Sequence, residues 1–374
     1  MVISFILGAS ALCYFGIVVY LRIGWMSLPV LERRAQELST KVSIVIAARN
    51  EEKNIGNTLQ DILAQDYPRE CVEVIVVDDH STDDTAEIIK SFSTSGVQLI
   101  QLKEDKPLNS YKKLAITKAI QQSTGELIVA TDADCRMGAK WLSTLVASYI
   151  NQNAQLISAP VVYEGEKSMF EYLQTLEFLF LIGLGAAGIG NKKPSTCNGA
   201  NLAYRRSAFD ELGGFQGIDH VASGDDELFL HKVAEQYRDR IVFCKSYDAI
   251  VFTQAKTSMG AFISQRKRWA SKSMHYKNKA IVRIGVSVWV FNLLLLVSSV
   301  LAFFMPQLWG YVGASLLLKM IGEFFFLQPL CRFIRRPGLI ALLPVLTIVH
   351  VFYMTIIGVV GNLGTYQWKG RAVR

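Results

Sequence analysis

The chain has 374 residues, 51% of them hydrophobic, and a formal net charge of +7. That length allows one domain of about 200–250 residues and a further part, and six scattered cysteines with no C-x-x-C pair exclude a disulfide framework and a zinc ribbon. Much of the basic excess flanks apolar segments, as at Arg266, Lys267, Arg268, Lys272, Lys277, Lys279, Arg283, Arg332, Arg335 and Arg336, which points to anionic lipid headgroups and away from nucleic acid.

In chain order, residues 2–21 carry no charge and are long enough to cross a bilayer as a helix. Basic residues follow this segment (Arg22, Arg33, Arg34, Lys41). It therefore reads as a signal anchor with its N-terminus outside and the next domain in the cytosol. Residues 41–47 (KVSIVIA) are β-branched and read as a buried strand, and 51–64 have helical spacing with Ile55, Leu59, Ile62 and Leu63 on one face. A second strand is expected at 72–78, a helix from Asp83 to Lys90, a third strand at 97–102, a helix at 111–122 and a fourth strand at 126–131. Strands and helices in this alternation predict an α/β fold with a mostly parallel, Rossmann-like sheet.

Residues 169–190 hold an apolar run interrupted upstream by Glu171 and Glu177, short for a span and read as a buried or interfacial helix. The C-terminal block offers three apolar segments, 284–304, 308–327 and 338–362, the middle one with Lys319 and Glu323 at pairing distance along a helix. The expected layout is an anchor at 1–22, a cytosolic domain at 23–280 and a membrane domain at 281–374 of about three transmembrane or re-entrant helices. The C-terminal Trp368-Lys369-Gly370-Arg371 sits outside in that count, against the positive-inside rule.

Ligands of such sheets bind beyond the carboxyl ends of the strands, and here those ends are polar. The first runs into Arg49-Asn50-Glu51, the second into Asp78-Asp79-His80-Ser81 and the fourth into Asp132-Ala133-Asp134. Carboxylates at i and i+2 of an extended segment point the same way, so Asp132 and Asp134 suit a divalent cation, Mg2+ or Mn2+, whose shell a diphosphate completes. Asp78 and Asp79 can accept hydrogen bonds from a base or ribose, whereas Ser81 and Asp83 suit helix capping. Asp225 and Asp226 precede a helical pattern, where acidic residues favour the dipole and where one can also serve as general base. Gln265, Arg268 and Trp269 lie shortly before an apolar segment; positive-inside charge and interfacial Trp account for them, as does phosphate pairing by Arg. Asn198-Gly199-Ala200-Asn201 is a small polar loop able to approach a ligand. The histidines (80, 220, 231, 275 and 350) show no metal-ligand spacing.

In order, KVSIVIAARNEE, VIVVDDHSTDDT, ATDADC, CNGANLAYRR, SGDDE and QRKRW resemble the motifs of family 2 glycosyltransferases with the GT-A fold, in particular membrane-bound members with a Q-x-x-R-W motif. They span residues 41–269. The resemblance implies that Asp79, with Asp78, Arg49 and Glu51, holds a nucleotide, usually UDP. It implies that Asp132 and Asp134 form the D-x-D pair for metal and diphosphate, and that Lys113 approaches the diphosphate. Asp226 would be the base of an inverting transfer, with Asp225 as a second register because the family's E-D reads D-D here. Gln265, Arg268 and Trp269 would border acceptor and donor.

The expected activity is that of a hexosyltransferase acting on a lipid, lipid-linked or glycan acceptor at a membrane. A processive polysaccharide synthase is the alternative within the class, and a non-catalytic membrane nucleotide-binding protein the alternative outside it. A nucleotidyltransferase fits less well, because Ala47-Ala48-Arg49-Asn50-Glu51 lacks the glycine-rich loop expected there.

Overall fold

A computed structural model describes residues 2–31, 39–103, 110–271, 276, 278–360, 366–368 and 371–373. Of the residues singled out above, Arg33, Arg34, Lys272, His275, Lys277, Lys369 and Gly370 lie outside the described set.

The elements run in this order: α1 Val2–Ser27, β1 Val42–Ala48, α2 Ile55–Leu63, β2 Val72–Asp78, α3 Thr85–Ser91, β3 Val97–Gln101, α4 Tyr111–Gln122, β4 Leu127–Asp132, β5 Arg136–Met137 and α5 Trp141–Gln152. Then come β6 Leu156–Ser158, β7 Val161–Tyr163, α6 Met169–Gly190, β8 Leu202–Arg205, α7 Arg206–Glu211, α8 Glu227–Tyr237, β9 Ile241–Phe243 and β10 Val251–Thr253. Next come α9 Met259–Ser271, α10 Lys279–Leu301, α11 Leu308–Phe333 and α12 Leu343–Val360, followed by the paired strands β11 Tyr366–Trp368 and β12 Arg371–Val373. The chain divides into two units, one of Ser27–Glu164, Gly188–Gln254 and Gln367–Arg374, the other of Met1–Met26, Gly165–Ala187 and Ala255–Tyr366.

The first unit is α/β. Its main sheet has the order β3-β2-β1-β4-β8-β6-β9. β3, β2, β1 and β4 are mutually parallel, and β8 is antiparallel to both β4 and β6. β1 is central and buried almost throughout, as a β-branched strand covered on both faces should be. Its register pairs Ala48 with Asp78 and Ala47 with Asp132, so these two carboxylates leave the sheet at the same edge. A smaller sheet has the order β5-β10-β7.

The helix expected from residue 51 starts at Ile55. Asn50 has φ 50°, and the Glu51 carbonyl accepts from the N–H groups of Asn54 at 3.0 Å and Ile55 at 2.9 Å. This turn uses up 51–54 before the helix can propagate.

Beneath the amino edge, Glu73 on β2 accepts from Ser43 Oγ at 2.5 Å, from the Gly125 N–H at 3.0 Å and from the Thr124 N–H. Burial disfavours its ionised form, but these hydrogen bonds outweigh burial and hold the carboxyl below its ordinary value. The stability it contributes is therefore present above the usual glutamate range, about pH 4.3, and lost as pH falls through the lowered folded value. Glu73→Gln should narrow the difference in urea midpoint between pH 7 and pH 3; an unchanged difference would contradict this assignment.

The second unit is helical. Five helical segments among the described residues are long and apolar enough to cross a membrane: Val2–Ser27, Met169–Gly190, Lys279–Leu301, Leu308–Phe333 and Pro337–Val359. The segment read as short is thus a full 22-residue helix. It extends upstream because its acidic residues have partners. Glu171 accepts from the Lys167 N–H at 2.8 Å and Ser168 Oγ at 3.1 Å, and Glu177 pairs with Arg266 of α9. Lys319 and Glu323 do pair along α11, and Glu323 also accepts from Tyr14 Oη of α1 at 2.6 Å and Thr347 Oγ1 of α12 at 2.9 Å. A carboxylate with that many donors gives three distant helices one shared partner in an apolar setting.

Candidate active site

At the carboxyl edge of the α/β unit, the loops after β1 and β2 are knitted together. Arg49 Nη1 donates to the carbonyls of Asp79 at 2.7 Å and His80 at 2.9 Å. Asn50 donates its N–H to Ser81 Oγ at 2.9 Å and accepts the Thr82 N–H at 2.9 Å. Ser81 is therefore spent on β1's loop, and neither it nor Asp83 is the N-cap of α3: that position is Asp84, without a side-chain cap bond, while the Asp83 carboxylate accepts from the Thr85 N–H at 3.1 Å just before the helix. Asp78 and Asp79 are almost fully buried. Asp78 Oδ1 accepts the Ser81 N–H at 3.3 Å, and Asp79 Oδ1 lies 2.9 Å from His80 Nδ1. Glu51 donates its N–H to Thr85 Oγ1 at 2.7 Å and accepts from Asn54 Nδ2 at 2.8 Å.

One strand over, the end of β4 presents Asp132, 38% exposed, with half-buried Asp134 just beyond it. The Lys112 ammonium lies 2.8 Å from Asp132 Oδ1 and 3.1 Å from Asp225 Oδ2. Burial works against that charge, but Asp132 and Asp225, with Asp226 nearby, hold Lys112 above the ordinary lysine value. Lysine 112 is thus a fixed positive charge through any physiological pH.

Asp226 accepts the Gly199 N–H at 3.1 Å and, as the N-cap of α8, the Glu227 N–H at 2.7 Å. Gly199 lets its backbone pass close to the acidic pair: a Cβ there would lie 3.2 Å from Asp225 Oδ2 and 3.4 Å from Asp226 Cβ, so that the carboxylate side chains would have to give by a few tenths of an ångström. Its loop is bolted from below. Thr131 Oγ1 donates to the Ala200 carbonyl at 2.8 Å, and Asn201 Nδ2 donates to the Pro160 and Ala249 carbonyls at 2.8 Å each. Trp141 Nε1 donates to Asn201 Oδ1 at 3.0 Å.

The structure therefore brings Asp132, Asp225 and Asp226 together around Lys112, with Asp78, Asp79 and Arg49 along the same sheet edge. Lys113, expected at the diphosphate, instead donates to the carbonyls of Val221 at 2.5 Å and Ser223 at 2.8 Å. Lys112 is the residue that the sequence reading missed. No local pattern separates the two lysines: Lys113 precedes buried Ile116 and Ile120, and Lys112 precedes buried Ala115 and Ala119, at the same i+3 and i+7 spacing. Gln265, Arg268 and Trp269 belong to α9 of the helical unit, all half-buried. Arg266 contacts the first and last of them. It donates to Gln265 Oε1 at 2.8 Å and stacks over Trp269 at 4.3 Å and Phe262 at 4.6 Å.

Whether the edge suits a divalent cation is a question of donor set. Among the described residues, no group of three or more His, Cys, Asp or Glu side chains converges on one point, so an all-protein cage is ruled out there. Asp132, at a spot that already attracts an ammonium group, with Asp134 two residues on, matches an ion that takes most of its shell from phosphate and water. The residues fit on that condition.

Lys112→Met should leave Asp132 and Asp225 facing one another without a counter-charge. The expected result is at least about a tenfold loss in kcat/KM, or about 1.4 kcal/mol, measured by nucleoside diphosphate release. A variant within about twofold of wild type would exclude Lys112 from the chemistry.

Known proteins resemble this chain in sequence and in fold. The sequence pattern described as Glycosyl transferase family 2 matches residues 43–213. The chain is 28% identical over 249 residues to "Probable glycosyltransferase YdaM" of Bacillus subtilis (strain 168), covering 65% of this chain and 57% of that protein. It is 25% identical over 216 residues to the "Glucosyl-dolichyl phosphate glucuronosyltransferase" of Haloferax volcanii, covering 55% of this chain and 67% of that one. The chain thus spans little more than half the length of the first of these relatives. Among solved structures, the mannosyltransferase PcManGT from Pyrobaculum calidifontis, in complex with GDP-Man and Mn2+, has a similar fold, with a TM-score of 0.54 at 19% identity over 94% of this chain and 98% of that chain.

Proposed function

We propose that this chain, whose residues 43–213 match the pattern described as Glycosyl transferase family 2, moves a sugar from a nucleoside-diphosphate donor, UDP-linked in the first instance, to a lipid or lipid-linked acceptor at a membrane. The observation that carries this reading is the Lys112 ammonium set between Asp132 and Asp225 at the carboxyl edge of the sheet. A diphosphate leaving group needs fixed positive charge where its own charge develops.

In this reading, Arg49, Glu51, Asp78 and Asp79 hold base and ribose. Asp132 and Asp134 would hold Mg2+ or Mn2+, whose contribution when bound is to neutralise the diphosphate. Asp226 accepts the proton of the acceptor hydroxyl as its oxygen attacks the anomeric carbon on the face opposite the diphosphate. The bond from that carbon to the diphosphate oxygen breaks, its electron pair leaves with the diphosphate, and Lys112 faces the charge that develops. Configuration at the anomeric carbon is inverted. Asp226 suits the role because two backbone amides fix its carboxylate, which removes the cost of orienting it.

The acceptor class is supported by the apolar helices, which make a membrane lipid the nearest substrate, and by a relative whose name includes a dolichyl phosphate substrate. Arg22, near the end of α1, favours a cytosolic catalytic domain within residues 23–280 under the positive-inside rule. The test is to supply detergent-purified protein with sugar-radiolabelled nucleotide donors and membrane lipid extract. Label should move into the organic phase as low-molecular-weight product, with inverted anomeric configuration by NMR. Label in aqueous, high-molecular-weight polymer would overturn single transfer to lipid.

A further inference from the structure

The segment between α7 and α8 carries Gly213, Gly214, Gly217 and Gly224 at φ values of 66°, 52°, 82° and 85°. A backbone so permissive needs to be held from outside. Two buried or half-buried ammonium groups hold it. Lys232 of α8 donates to the carbonyls of Gly214 at 2.6 Å and Gln216 at 3.0 Å. Lys113 of α4, 2% exposed, donates to the carbonyls of Val221 and Ser223.

Ser223 is followed by Gly224 and then by Asp225 and Asp226. The residue before Lys113, Lys112, reaches Asp225 itself. Helix α4 therefore grips the acidic loop at adjacent points: at the backbone on its approach, and at its first carboxylate. A lysine buried among backbone carbonyls costs desolvation, and packing alone would be served as well by methionine. The carbonyls that it fixes lie three to five residues from the proposed base, where a displacement of about 1 Å can cost about a hundredfold in rate.

We propose that Lys113 is a positioning residue for the reaction: it does not touch the diphosphate but sets the backbone from Val221 to Ser223 and so the placement of Asp226. This rests on the reading of Asp226 as the base. Its test is a double-mutant cycle of Lys113→Met with Asp226→Asn, scored by kcat, by nucleoside diphosphate affinity and by amide exchange over residues 219–226. Lys113→Met alone should lower kcat about 10- to 100-fold, leave nucleoside diphosphate Kd within about threefold, and speed exchange in that segment. In the Asp226→Asn background, adding Lys113→Met should change kcat by less than about threefold, because the group it positions is already disabled.

A full multiplicative loss in both backgrounds, an unchanged kcat, or a loss of nucleotide affinity would each overturn the proposal. Lys113→Gln keeps a donor and enters the same cycle if the methionine variant does not fold. An Asp226→Asn enzyme as active as wild type would remove the underlying reading, whereas an active Lys113→Met beside an inactive Asp226→Asn removes this proposal alone.

Discussion

Asp226→Asn should lower kcat by about two to four orders of magnitude, the usual worth of a general base, while nucleoside diphosphate still binds within about threefold. The substitution separates chemistry from architecture. Asparagine is as good an N-cap as aspartate, so the amide of Glu227, which Asp226 accepts at 2.7 Å, keeps a partner and α8 keeps its start. What disappears is the carboxylate's affinity for a proton. Asp225→Asn is the matched control. Asp225 shares Lys112 with Asp132, so its loss should act on the leaving-group side and change the dependence on donor concentration as well as the maximal rate. If Asp225→Asn abolished turnover while Asp226→Asn remained active, the base would belong to the other register.

The second large effect is expected from Asp132→Ala. This carboxylate sits at the strand end beside Lys112 and is the more exposed of the charges there, at 38%. On the proposed reading, removing it would take away a ligand of the diphosphate-bound cation and would leave Lys112 to Asp225 alone. Turnover should fall about 10²- to 10³-fold, the range for losing one preorganised electrostatic contact to a leaving or oxyanion group. The metal dependence of nucleotide binding should flatten with it. Calorimetric titration of nucleoside diphosphate with and without Mn2+, wild type against variant, reads the second effect directly. An Asp132→Ala protein that kept a metal-dependent affinity would move the cation elsewhere.

β1, β2 and β4 were legible because they are apolar, largely buried runs whose ends carry charge where apolar sequence stops; β3, half-exposed, followed from the alternation of strands and helices. β8 was not. Leu202–Arg205 is four residues long and ends in arginine, and only its pairing with β4 and β6 makes it a strand. The full length of α6 was hidden by Glu177, whose partner Arg266 comes from α9, a pairing that no local pattern announces. Among site residues, the strand ends carried Asp78, Asp79 and Asp132 openly. The division of labour between Lys112 and Lys113 did not show, since two adjacent lysines look alike in sequence and differ by about 100° around a helix. That rotation turns one toward the carboxylates and the other into the packed loop.

The central claim is that the acidic edge around Lys112 transfers sugar from a nucleotide. Its most direct test is nucleoside diphosphate release by detergent-purified protein offered a panel of UDP- and GDP-sugars with membrane lipid extract, with and without EDTA. Release from one donor, dependent on the metal and lost in both Asp132→Ala and Asp226→Asn, is the predicted result. Well-folded protein that neither releases nor binds a nucleoside diphosphate would contradict the claim and leave the carboxylates of this edge as caps and ion pairs of the fold.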